Sequence, residues 1–261
     1  MSRTLLAISA IALALILRPG SDGAAAKPRK SPEVTDMKRK GLIPKYPADR
    51  SCTPLTSLYM SWIDVDGSKR DEPHSGIDGG RLHDPILAPA AGVVIAVWQA
   101  DWGWGSEGAL MIRHSKSDLG LQDGPDYYYS EFDHLQYEEI RSIAEGKQVK
   151  RGEQLATVFR PGGKRQYPPE VHWEVWAIDD DSAMQWTRNK FGGRDWVNRT
   201  GHLIDPLSML SLNAPPRTDG RVDIPAFDRR RDYREFRGFT YILPCPKKNS
   251  GGGTPRNKQR R

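Results

Sequence analysis

The sequence predicts an all-β domain of antiparallel strands, and three observations carry that prediction. Six short runs, at 86–90, 92–99, 109–113, 127–132, 155–159 and 171–178, are apolar throughout or alternate apolar with polar residues, which is the period of a strand. Between them stand glycine, aspartate and proline, the residues that turn a chain sharply. Only one stretch, 137–145, reads as a helix, lying between His134 and the turn at Gly146, so helices are few and short.

Taken in order, residues 1–26 read as an export signal. Arg3 gives a positive start, 5–17 is an uncharged apolar run, and Ala24, Ala25 and Ala26 offer small residues for cleavage. The run is short for a spanning helix, which needs about 20 residues; an uncleaved membrane anchor is the alternative. Either way the expectation is an exported protein, periplasmic or secreted. Residues 27–50 are rich in Lys, Arg and Pro without apolar periodicity and read as a basic linker. Leu55, Leu58, Met60 and Trp62 suggest a first strand, and the core of the domain is expected at 70–212 within a unit of 51–246. An insertion follows the strand at 171–178, carrying Asp179, Asp180, Asp181, Trp186 and Trp196; its acidic triplet lacks the spaced oxygens of a calcium loop and reads as a solvated turn placed to overhang a groove. Residues 213–246 mix charge with aromatic residues and should pack back on the domain, and 247–261 read as a disordered basic tail.

Composition narrows the class of partner. A net charge of +6 points to an anionic partner. No helix-turn-helix, zinc-knuckle or aromatic RNA-binding signature is present, so the expectation is no nucleic acid but cell-wall polymer or an anionic membrane surface. The cysteines, Cys52 and Cys245, flank the core, and in an oxidising compartment they are expected to be bridged.

Two segments carry the chemistry. His74 and Asp78 stand four apart with Gly76 between them, which suits a turn or bent strand end that aims both side chains at one point. In the second segment Val171, Trp173 and Val175 alternate with Glu170, His172 and Glu174, so the polar three share one face. His74, Asp78 and His172 make a set of three metal ligands, and three ligands leave a zinc ion an open position for water. Glu170 falls where a general base is useful. Manganese or cobalt would suit the same ligands. Trp102 and Trp104, on a glycine-flanked turn, are candidates for an aromatic rim, whereas Trp98 and Trp176 read as core; His83, His114 and His202 read first as structural.

In order and spacing, His74-Ser-Gly-Ile-Asp78, Ala88-Pro-Ala-Ala-Gly92, Phe132-Asp-His134-Leu135, the turn from Gly146 to Leu155, Val171-His172-Trp-Glu174 and Asp205-Pro206-Leu207 resemble the lysostaphin-type (LytM-like) zinc metallopeptidases. The resemblance implies a sheet with an open groove whose floor holds zinc on His74, Asp78 and His172, and hydrolysis of peptide cross-links in peptidoglycan. It implies an active-site role for His134 as well. The second such histidine of the family falls on position 170, where this sequence has glutamate. That leaves two expectations open: Glu170 acts as the base, or it closes the metal site as a fourth ligand and leaves a regulator or wall-binding module. Neither oligomeric state nor the choice of cross-link follows from these motifs.

Overall fold

A computed structural model describes residues 41–64, 67–102, 106–160, 168–179, 184–198 and 201–248. The export signal, the first part of the linker, Trp104, Asp180, Asp181 and the tail from 249 lie outside the described residues. In chain order the strands are β1 (Ile43–Lys45), β2 (Leu55–Ser57), β3 (Ile77–Gly79), β4 (Pro85–Leu87), β5 (Gly92–Asp101), β6 (Ser106–Ser115), β7 (Tyr127–Leu135), β8 (Gln148–Val149), β9 (Gln154–Thr157), β10 (Val171–Ile178), β11 (Met184–Arg188), β12 (Arg194–Asn198), β13 (His202–Ile204) and β14 (Arg221–Asp223). Two short helices, α1 (Tyr137–Ile140) and α2 (Pro206–Leu210), complete them.

The fold is all-β, as expected. Its main sheet runs β2-β3-β10-β7-β6-β5-β8, with β13 added to β10, and every pairing in it is antiparallel. The central strands β6 and β7 are buried on both faces, and between their apolar residues they bury the polar Glu107, His114, Ser130, Glu131, Asp133 and His134. One face of the sheet rests on the large core, where Leu110, Ile112, Phe132, Trp173 and Val175 meet Phe239, Tyr241 and Leu243 of the C-terminal segment. The opposite face carries a smaller cluster of Ala96, Trp98, Ala109, Met111 and Tyr129. β11 and β12 form a hairpin that closes that cluster with Trp186 and Trp196, whose rings meet edge to face at 4.3 Å. The insertion is therefore a tryptophan-anchored hairpin.

The helix predicted at 137–145 stops at Ile140. The amide of Gly146 donates to Val94 O, and that of Val94 to Lys147 O; these bonds bind the segment to the sheet edge and leave no room for further helical turns. Residues 41–50, expected as part of a linker, are folded onto the domain. β1 pairs in parallel with β14, Lys45 and Asp223 form an ion pair, and Arg50 Nη1 donates to Cys245 O. The basic residues described in this stretch, Lys45 and Arg50, thus have acidic partners and a carbonyl on the far end of the chain, a long-range fact that composition does not carry. The folded body runs two residues past the expected end at 246, because Lys247 bridges Arg50 and the Lys248 amide donates to Asp49 O.

Cys52 and Cys245 are bonded, as expected, 193 residues apart. Closing so long a loop restricts the unfolded chain by on the order of 4 to 5 kcal/mol in the chain-entropy model. The bridge joins the strand-poor N-terminal segment to the segment that roofs the large core.

Candidate metal centre

Three strands bring the ligands together. His172 in β10 is paired directly with Asp78 in β3 on one side and with Asp133 in β7 on the other, so the three side chains stand in a row on one face of the sheet. His74 comes from the turn entering β3. That turn passes so close to β10 that a Cβ on Gly76 would lie 2.3 Å from Trp173 O; only glycine permits the approach.

The atoms converge on one point. His74 Nε2 lies 3.0 Å from Asp78 Oδ1 and 3.0 Å from His172 Nδ1, and His172 Nδ1 lies 2.7 Å from Asp78 Oδ1. Ligands at bond lengths of about 2.0 to 2.2 Å in a tetrahedron stand roughly 3.3 Å apart, so this triangle matches a small divalent ion. Partners behind the ligands fix the lone pairs. His74 Nδ1 donates to Leu58 O at 3.0 Å, which leaves Nε2 its lone pair; His172 Nε2 donates to Glu174 Oε1 at 3.1 Å, which leaves Nδ1 its own. Arg70 holds the other oxygen of Asp78 at 3.1 Å. All three ligands are buried, and among the described residues they are the set of His, Cys, Asp and Glu whose atoms converge this closely. Two imidazole lone pairs and a carboxylate oxygen within 3 Å repel one another without a cation between them, so the donor set fits a metal.

The charges respond to this crowding. Burial opposes ionisation of Asp78, yet the charge and hydrogen bonds of His74 and His172 hold its carboxyl well below the usual range. Burial likewise opposes the His172 imidazolium, yet hydrogen bonds to Asp78 and Glu174, and their charge, hold it well above the usual histidine value. Glu170 is buried in the same cleft; burial, reinforced by the charge of Asp78, pushes its carboxyl up to about 8. Glu170 Oε2 has no hydrogen-bond partner among the described residues, and its carboxylate stands outside the converging set of ligands.

His134 reaches the cleft by breaking the strand rule. Strict alternation along β7 would put it on the core face with Phe132, but its φ of 57° turns the backbone left-handed, sending Leu135 into the core and the imidazole toward His172, 6.1 Å away between ring centres. Its Nδ1 donates to Glu107 Oε2 at 2.6 Å, and Trp102 meets its ring edge to face at 5.0 Å.

Residues 72–185 match the model of peptidase family M23. The matched region is a little under half of the chain and holds all five predicted site residues, His74, Asp78, His134, Glu170 and His172. Solved structures similar to the chain include a zinc-containing peptidase from Vibrio cholerae, 27% identical, matched over 52% of this chain and 37% of its own with a TM-score of 0.32. A catalytic-domain variant of a prophage-encoded M23 protein from Enterococcus faecalis is 24% identical over 51% of this chain and 85% of its own, at 0.33. The catalytic domain of lysostaphin from Staphylococcus simulans is 16% identical over 61% and 90%, at 0.33. This chain thus spans little more than a third of the Vibrio cholerae protein's length. No protein of curated function matches the sequence.

Several residues of the site escaped sequence reasoning. Glu107 reaches it through the pairing of β6 with β7, and the Leu58 carbonyl and Arg70 from the segments around β2 and before His74; nothing in their local pattern signals this. Glu131 and Asp133 did carry a signal, being acids inside an apolar strand; burial and their acidic neighbours push both carboxyls well above the usual range. Of the bystander histidines, His114 is structural as expected, its Nδ1 donating to Ala91 O at 2.6 Å and its Nε2 meeting Ser130 Oγ at 3.0 Å. His83 and His202 are exposed.

Proposed function

We propose that this chain is an exported zinc endopeptidase that hydrolyses peptide cross-links of peptidoglycan. The observation that supports it most is the convergence of His74 Nε2, Asp78 Oδ1 and His172 Nδ1, each with its lone pair freed by a partner behind it. Zinc held there would supply a Lewis acid that polarises the scissile carbonyl and lowers the pKa of a water molecule.

The chain's own residues do the rest. Glu107 fixes His134 through Nδ1 and so directs Nε2 toward the cleft, where it donates to the carbonyl oxygen as negative charge develops there. Glu170, beside the ligands and without a partner for Oε2, takes the proton of the attacking water and returns it to the leaving amine. Trp102 and the hairpin tip at Lys190 and Phe191 flank the cleft and hold the substrate backbone away from bulk water. Export by residues 1–26 would bring this site to its polymer, and the basic segments would favour an anionic wall or membrane.

Digestion of purified sacculi by the mature protein, with and without chelator, tests this. Loss of cross-linked dimers with matching gain of monomers, abolished by chelator and restored by zinc, is the expected result. Protein carrying one zinc ion per chain that releases nothing would overturn it in favour of the second reading, a regulator or wall-binding module, to which the glutamate at position 170 points.

A further inference from the structure

Beyond the ligands, the same face of the sheet carries a second group of acids that the metal does not use. Glu174 is paired directly with Glu131 across β10 and β7, and Asp133 with His172. Like charges directly opposite each other in a sheet are destabilising, and here Glu131 is buried and Glu174 mostly so. The hairpin adds Asp195, whose charge acts on Glu131, Asp133 and Glu174. Among the described residues no lysine or arginine pairs with Glu131, Asp133 or Asp195. Glu131 has only Trp176 Nε1, at 3.1 Å. Asp133, 5% exposed, lines the cleft beside His172 and His134, and its Oδ1 has no partner among the described residues.

A strand that sets this many acids in one place, against its own stability, calls for a cation. A second metal does not fit, because among the described residues the only His, Cys, Asp and Glu atoms that close to within 4.8 Å of one another are those of His74, Asp78 and His172. A guanidinium favours both oxygens of a carboxylate in its planar fork, whereas a primary ammonium is a compact charge that satisfies single oxygens on several side chains. We propose that Asp133, with Glu131 beside it on the same face of β7, is a subsite for a primary ammonium group on the substrate peptide, seated next to the scissile bond. The inference rests on the peptidase reading, and it names the feature of the cross-linked peptide that this chain selects.

The test offers the full-length, metal-loaded protein one synthetic cross-linked peptide in three versions: amines free, side-chain amine acetylated, or α-amine acetylated. Acetylating one of the two amines is expected to raise KM roughly tenfold, the worth of one charge-assisted hydrogen bond, with kcat little changed, and the sensitive position tells side-chain from terminal ammonium. Asp133→Asn should bring the ratio between ammonium and acetylated peptides to about one, while Asp133→Glu, which keeps the charge, should retain a preference. Equal kcat/KM for all three peptides, or an undiminished preference in Asp133→Asn, would overturn the subsite. So would metal analysis that finds two ions per chain in the native protein and one in Asp133→Asn. If no peptide is cut, the peptidase reading fails separately; calorimetric binding of the same three peptides then decides the subsite alone, a preference for the ammonium form supporting it and no preference overturning it.

Discussion

The two faces of the central sheet each bury a histidine, and they treat it oppositely. On the core face His114 lies fully buried against Phe239 and bonds only to neutral partners, Ala91 O and Ser130 Oγ. Burial lowers its pKa to about 4, so it is neutral wherever the protein is folded near neutral pH. On the other face His172 is almost as buried, yet Asp78 and Glu174 hold its charged form well above the usual value. Burial alone therefore does not mark a ligand. The difference is the company: a structural histidine uses both nitrogens on neutral groups, whereas a ligand has one nitrogen tied down by a partner and the other aimed at a point where further lone pairs converge.

The largest effect should come from removing that convergence. Asp78→Ala is expected to abolish stoichiometric metal binding and to lower activity by on the order of a thousandfold, read by elemental analysis and by dimer release from sacculi. His114→Gln should keep metal and activity, since it touches neither.

The core face has its own signature in pH. Because the folded-state pKa of His114 is depressed, the unfolded chain binds the extra proton between about pH 6.5 and 4. Stability from this residue is thus complete above about 6.5 and falls as the pH drops through that window, by on the order of 3 kcal/mol. Urea midpoints across pH 4 to 7 should show that slope in the native chain and lose it in His114→Gln. A slope unchanged by the substitution would mean that acids on the other face dominate the pH response.

Glu174→Gln separates support from ligation. With the carboxylate gone, His172 keeps a hydrogen-bond acceptor but loses the charge that orients it, and metal affinity should fall roughly 10- to 100-fold without vanishing. The smallest effect should be a gain. Glu131→Gln removes one of two buried acids set directly opposite each other and should raise stability by about 0.5 to 1 kcal/mol, measured by thermal unfolding. A loss of that size would mean that the Trp176 Nε1 bond to Glu131 matters more than the repulsion.

Much of the fold and of the site is legible in the amino-acid sequence. Strand periodicity locates β5, β6, β7 and β10, because a half-buried strand must alternate and a buried one must be apolar. The spacing of His74 and Asp78 around Gly76, and the alternation of Glu170, His172 and Glu174, point to the ligand set, because local geometry fixes which side chains share a face. What fails does so for a common reason. Residues 41–50 look like a linker until β14 and Asp223 are brought beside them, and the stretch after Ile140 looks helical until β5 claims its amides. His134 reaches the cleft only through a φ of 57°, which cannot be read from its neighbours in sequence.

The sequence by itself therefore determined the class of fold and pointed to His74, Asp78 and His172, whose donor atoms the fold brings together. Their periodicity and side-chain chemistry are local properties and travel with the chain. Only the tertiary structure decided that Glu107 holds His134, that Arg70 and the Leu58 carbonyl free the lone pairs of the ligands, and that four acids from three strands crowd beside them. Those contacts are made between segments that the sequence pattern does not join, by the register between strands for Glu107 and the acids and by the packing of the loops before β3 for Arg70 and Leu58.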